Sequence, residues 1–90
     1  MLKLRETTKF KKDMHRVMSQ GKPYDKIRAV FIALLNQETL PEKYQDHSLE
    51  GNWKGFRELH VKPDWLLIYR VEGNTLVLER TGSHAELFGK

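Results

Sequence analysis

The segment FRELHVKPDWLLIYRVEGNTLVLERT, residues 56–81, holds three runs rich in β-branched and aromatic residues: Phe56 to Val61, Trp65 to Val71 and Thr75 to Thr81. Lys62-Pro63-Asp64 and Glu72-Gly73-Asn74 separate them, and both are turn sequences. A period of two broken by such turns predicts a three-stranded antiparallel meander. The middle run, Trp65-Leu66-Leu67-Ile68-Tyr69, is apolar on both faces, which places it centrally with at least one face under helices.

The covering helices lie upstream. Leu2 and Leu4 alternate with Lys3 and Arg5, predicting a short first strand that ends where Glu6-Thr7-Thr8 offers N-cap residues. This strand can join the sheet at an edge or beside the last strand. Phe10, Met14, Val17 and Met18 then form one helical stripe that Gly21 terminates. Pro23 suits the first turn of a second helix, striped by Tyr24, Ile27, Val30, Phe31, Leu34 and Leu35 and broken at Leu40-Pro41. Residues 41–54 turn polar and read as a long loop with His47 in its middle. Downstream, Ser83-His84-Ala85-Glu86 has capping-box spacing and predicts one short helical turn. The chain reads as one α+β domain over residues 1–90, ordered β-α-α-β-β-β.

Ninety residues support one core, and without cysteine that core rests on packing alone, which fits the cytoplasm. No continuous apolar run marks a signal peptide or a membrane span. Sixteen Lys and Arg oppose twelve Asp and Glu, and Lys3, Arg5, Lys9, Lys11, Lys12 and Arg16 concentrate the excess near the first helix. That pattern favours a polyanionic partner, although at a net charge of only +4 a solvated helix face is as good a reading of the charge taken alone.

The hairpins also locate a candidate site, because turns fix which residues face each other. Proline fits poorly at the third position of a tight type I turn, so a slightly longer first loop is expected, with His60 opposite Trp65 and Asp64 beside them. A two- or three-residue second loop puts Asp64 opposite Gly82 or Ser83, and Arg80 opposite Leu67 or Leu66. At strand spacings of about 4.8 Å, His60, Asp64, Arg80 and His84 fall within roughly 10 Å of one another. His47 is within reach of them, although its loop is too long to place. Each residue alone has an ordinary structural reading; their convergence is what points to chemistry. Imidazole can accept and donate protons near neutral pH, and Arg can hold a phosphate oxygen bidentately, as RNA cleavage by the ribose 2′-OH requires.

His15 lies beside the apolar stripe and is expected to face solvent. Trp53, Phe56 and Trp65 are candidates for stacking on bases, against core packing for Phe56 and loop anchoring for Trp53. With no H-x-x-x-H or similar close pair, neither a metal site nor any cofactor is expected.

The run from Asp46 to Trp65, DHSLEGNWKGFRELHVKPDW, with Tyr69 and with Glu79 to Phe88, ERTGSHAELF, resembles the signature of YafQ-type toxins of the RelE superfamily. The resemblance covers about the second half of the chain. It implies a RelE-like fold, with two N-terminal helices on one face of a small, mainly antiparallel sheet. It further implies metal-independent cleavage of mRNA in the ribosomal A site. By position, His47, His60, Asp64 and His84 look like the acid–base set, Arg80 like the stabiliser of phosphate charge, and Phe88 like a residue that orients substrate. Within that set His84 is the expected general acid. Asp64, with or without His60, is the expected proton acceptor, a division that coupled groups leave open.

Lys54, Arg57 and Lys62, with the lysines of the first helix, are expected to contact ribosomal RNA. A DinJ-like antitoxin is expected to wrap the toxin with an extended acidic segment, in a hetero-oligomer. The alternatives are a non-catalytic superfamily toxin that blocks a protein such as gyrase, which has no need of converging histidines, and a plain RNA-binding module.

Overall fold

A computed structural model describes residues 1–89. Three segments rich in β-branched and apolar residues are strands, β3 (Arg57–Lys62), β4 (Trp65–Glu72) and β5 (Thr75–Gly82), and they form the expected meander. At one end β1 (Lys3–Glu6) runs parallel to β5, and at the other β2 (His47–Ser48) pairs antiparallel with β3. The order is β1-β5-β4-β3-β2, so the first strand lies both beside the last one and at an edge. The two-residue β2 falls inside what reads from sequence as loop.

Two registers differ from expectation. The β3–β4 turn is tight, with Lys62 opposite Trp65, and an irregularity after His60 places that residue opposite Leu66 rather than Trp65. A bulge between β4 and β5 shifts Arg80 to face Ile68 rather than Leu67 or Leu66. Gly82 pairs with Leu66, which brings Asp64 alongside His84 instead of opposite Gly82 or Ser83.

Helix α1 (Thr8–Ser19) starts at Thr7, whose hydroxyl accepts from the Phe10 N–H at 3.0 Å and donates to the Glu79 carbonyl at 2.9 Å, tying the cap to β5. Helix α2 (Tyr24–Leu35) follows Pro23, which is its N-cap residue. It stops at Leu35, short of Leu40-Pro41, where Asn36-Gln37-Glu38-Thr39 gives no further apolar side chains to bury. Phe10, Val17, Ile27, Val30 and Leu34 pack on Leu59, Val61, Trp65, Leu67, Tyr69, Leu76 and Leu78, so both helices cover one face of the sheet. Tyr24, expected in that stripe, is 50% exposed. Among the described residues no helix is long and apolar enough to cross a membrane.

The opposite face needs its own cover because β4 is apolar on both sides. Leu66 and Ile68 are covered there by Leu49, Trp53, Phe56 and Phe88, together with Leu87 of α3 (His84–Phe88). The polar-looking loop before β3 is therefore half of a second small core. Ser83 and Glu86 close the expected capping box at the start of α3.

Candidate active site

On β3 the side chains of Leu59 and Val61 enter the helix-covered core, so alternation turns Glu58 and His60 to the other face. His47 stands opposite Glu58, and its Nε2 lies 3.5 Å from Glu58 Oε1. His60 Nε2 approaches the same oxygen at 3.9 Å. The His60 and His84 rings meet edge to face, 5.7 Å between centroids. His84 ends the chain of contacts: its Nδ1 and its backbone N–H reach Asp64 Oδ1 at 2.8 and 3.1 Å. The fold thus brings His47, His60, Asp64 and His84 into one line, with Glu58 between the first two.

Glu58 is only 6% exposed, and the sequence reading passed over it. Its signal was present: a carboxylate two residues from His60 on a strand shares that residue's face. It offers opposite charge to whichever neighbouring imidazole carries a proton. His47 Nδ1 faces the Gln45 carbonyl at 2.6 Å, so only the protonated His47 ring presents an N–H to both Gln45 and Glu58.

The bonds from the His84 backbone and ring hold the Asp64 carboxyl below the usual carboxylate range. A carboxylate stabilised in this way is a poor proton acceptor, which counts against the expected role for Asp64. What it does is fix the His84 ring, holding Nδ1 at the carboxylate and leaving Nε2 for other partners. Glu86 is likewise held low, first by the Ser83 backbone N–H and then by Gln20, with Arg16 contributing. Both groups tie down α3, and Glu86 also meets Arg16 Nε at 3.0 Å. Gly82 permits this approach, since a Cβ there would lie 2.6 Å from Arg16 Nη2.

Depressed carboxyl pKa values give a stability contribution that is complete above the unfolded values, near 3.8 for Asp64 and 4.5 for Glu86, and that is lost as pH falls through the lower folded values. The docking of α3 should therefore persist through pH 5 and fail only below the ordinary carboxylate range. An NMR titration of the Leu87 methyl groups reads this directly, and a transition centred near pH 6 would contradict it.

Arg80 shares a cross-strand row with Glu58 and Ile68, two strands from Glu58, or roughly 10 Å between backbones. Asp13 of α1 binds Arg80 Nε at 2.6 Å and Nη2 at 3.2 Å, which directs Nη1 elsewhere. Asp13 is the second residue that sequence reading missed, although an acid inside an apolar helical stripe signals a buried partner.

Not every expected contact faces this site. Trp65 is 1% exposed, and its indole N–H donates to Thr81 Oγ1 at 3.0 Å, so it belongs to the core and cannot stack on a base. Arg57 points to the helix-covered side, where its Nε meets Asp46 Oδ1 at 3.1 Å. Lys54 and Lys62 are exposed, as is His15. Phe88 is half-buried, edge to face with Trp53 at 6.1 Å.

Asp46 also accepts the Tyr69 hydroxyl at 2.8 and 2.7 Å, pinning the residue next to His47. Burial pushes the Tyr69 pKa up, with the bond to Asp46 adding to it, so the hydroxyl stays a donor. Tyr69→Phe removes a hydrogen bond to a charged group and should cost about 1.5 kcal/mol in urea denaturation. A loss below a few tenths would mean the latch carries no weight.

Glu58, His60 and His84 each bring one ligand atom within 4.8 Å of the others. Two imidazoles and a carboxylate suit Cu²⁺ or Zn²⁺ in donor type, though the spacing must close somewhat to reach bonding distances of about 2.0–2.2 Å. Sequence spacing concealed this set, because the three residues come from one strand and a distant helix.

Residues 2–89 match the family model described as a bacterial toxin of type II toxin–antitoxin system, YafQ. The mRNA interferase toxin YafQ of Escherichia coli K12 is 43% identical over 81 residues, covering 89% of this chain and 88% of that protein. A copper-bound mutant toxin from Helicobacter pylori superposes with a TM-score of 0.94 at 43% identity, covering 98% of this chain and 100% of that one. YafQ in the Escherichia coli DinJ–YafQ complex superposes at 0.90 with 39% identity, covering 99% and 100%. The resemblance read from the second half of the sequence thus extends through the first half as well, and the chain belongs to the YafQ family of bacterial type II toxin–antitoxin toxins.

Proposed function

We propose that this toxin is an endoribonuclease that cuts mRNA in the ribosomal A site by acid–base catalysis. The observation that carries the reading is the unbroken line His47–Glu58–His60–His84–Asp64 on one sheet face. His60, beside the Glu58 carboxylate, takes the proton of the ribose 2′-OH. The freed oxygen attacks the adjacent phosphorus, and Arg80, steered by Asp13, faces the charge gathering on the non-bridging oxygens. His84, its ring fixed by Asp64, gives a proton to the departing 5′-oxygen. His47 shares Glu58 with His60 and supports its protonation cycle. Phe88 borders the nucleotide beside the cut.

The products are a 2′,3′-cyclic phosphate and a 5′-hydroxyl. A transition metal on Glu58, His60 and His84 would occupy the lone pairs these transfers use, so it would oppose the reaction rather than serve it. The Helicobacter pylori mutant toxin is copper-bound, which supports metal binding by this fold. The DinJ–YafQ complex of the relative supports an antitoxin partner, and an acidic antitoxin segment would cover the same face, with toxin and antitoxin meeting in the cytoplasm. Lys54 and the lysines of α1 would bind ribosomal RNA.

The test is cleavage on translating ribosomes with the RNA ends identified, alongside free RNA at high toxin concentration with and without EDTA. Codon-phased cuts ending in 2′,3′-cyclic or 3′-phosphate, with free-RNA cleavage persisting in EDTA, support the proposal. Intact mRNA alongside growth arrest would turn the reading to a toxin that blocks a protein.

A further inference from the structure

Because β2 pairs only with Arg57 and Glu58, the edge of β3 from Leu59 to Lys62 that faces away from β4 has no strand neighbour among the described residues. A groove of about 500 Å³ lies along that open edge. Three lysines from three different segments line it: Lys26 of α2, Lys43 of the 3-10 turn Glu42–Tyr44, and Lys62 of β3. Tyr44 forms part of its wall, with Lys43 Nζ 5.3 Å from the ring centroid. Among the described residues no acidic side chain lines it, and Lys22 is near enough to Asp64, the neighbour of the groove's Pro63, to help lower that carboxyl's pKa.

His60 lies at the border of the two, lining the groove at the open edge of β3 while its ring turns to the opposite sheet face and meets His84. Ammonium groups from separate elements around one groove repel one another, an arrangement that a polyanion relieves. A cleft at a sheet edge suits a flexible backbone better than a duplex, which needs a broad surface.

We propose that this groove is a binding subsite for single-stranded mRNA, in which Lys26, Lys43 and Lys62 hold the phosphates of nucleotides next to the one that is cut. The inference rests on the endoribonuclease reading and adds to it the path of the strand away from the histidines. Lys26 and Lys43 then set how firmly the strand is held, while the proton transfers stay with His60 and His84.

The probe is a fluorescent 2′-O-methyl RNA hexamer, which cannot be cut because its attacking hydroxyls are blocked. Anisotropy across a salt series should show Lys26→Gln/Lys43→Gln binding about ten-fold more weakly, with the slope of log affinity against log salt reduced by about 1.4, or roughly 0.7 for each phosphate no longer neutralised. Both side chains are exposed, so the fold should survive, and a circular dichroism melt checks that. Arg28→Gln, which removes an exposed charge of α2 outside the groove, should change affinity less than two-fold.

Unchanged affinity and slope in the double variant would overturn the subsite, as would an equal per-charge loss in Arg28→Gln. Weakened binding of a hexaglutamate peptide with RNA binding intact would make the groove an acidic-peptide site and also overturn it. Because the probe is not cleaved, these outcomes are separate from the ribosomal assay: failure there sinks the nuclease reading, and failure here with codon-phased cleavage intact sinks only the subsite.

Discussion

His84→Ala should lower mRNA cleavage by at least two orders of magnitude while leaving the protein folded. The size follows from general acid–base catalysis, where removing the proton donor typically costs 10²–10⁴-fold. The fold should tolerate the change for local reasons. The His84 side chain is 45% exposed, so little apolar area is lost, and alanine suits the first turn of a helix. The Ser83–Glu86 capping box does not use the imidazole, and the residue-84 backbone N–H still reaches Asp64. The variant separates roles that a fold defect would blur: single-turnover cleavage should collapse while binding of an uncleavable RNA stays within a few-fold of wild type. Asp64→Asn should fall between the two, because it keeps the backbone contact but weakens the hold on the ring. Near-wild-type cleavage by folded His84→Ala would remove His84 from the acid role, and with it the reason for assigning the 2′-OH proton to His60.

The meander was legible because its signals are local: a period of two, two turn sequences, and a middle strand too apolar to sit at an edge. The helix stripes were legible for the same reason. What escaped was either one residue wide or dependent on a distant partner. The bulge between β4 and β5 moves Arg80 by one pairing, and nothing in Leu78-Glu79-Arg80 marks it. A two-residue strand such as β2 exists only because β3 offers its edge. Trp65 is the clearest case, since an aromatic beside the candidate histidines reads as a base-stacking platform. The deciding fact is Thr81, a hydroxyl from another strand that satisfies the indole N–H and lets the ring be buried. Within the site, residues that combine an unusual type with a polar location, the histidines and Asp64, were visible. Glu58 and Asp13 escaped because carboxylates are common, and the positional signals they carry, a face shared with His60 and a place in an apolar stripe, stand out only once their burial is known.

Asp13→Ala should destabilise the fold by about 3 kcal/mol, a large share of the roughly 5–15 kcal/mol of a typical domain. The carboxylate is 3% exposed and accepts from Arg16 Nη1 at 3.0 Å, from Arg80 Nε and Nη2 at 2.6 and 3.2 Å, and from the Thr81 N–H at 3.2 Å. Removing it leaves a buried backbone N–H without a partner and two guanidinium groups without their shared counter-charge. Arg80 and Arg16 retain 20% and 36% side-chain exposure, so water offsets part of that cost and the lower end of the range for broken buried pairs applies. The same clamp aims Arg80, so its loss should also reach the chemistry. Asp13→Asn tests that separately: the amide oxygen can still accept from Thr81 and preserve much of the packing, yet it can no longer neutralise and orient both arginines. Urea denaturation should place Asp13→Asn between wild type and Asp13→Ala, whereas cleavage, measured well below either midpoint so that both variants are folded, should fall at least ten-fold in each. An Asp13→Ala protein within 1 kcal/mol of wild type would show that α1 is held to β5 by its apolar stripe alone. Full cleavage by folded Asp13→Asn would show that Arg80 finds its position without the carboxylate.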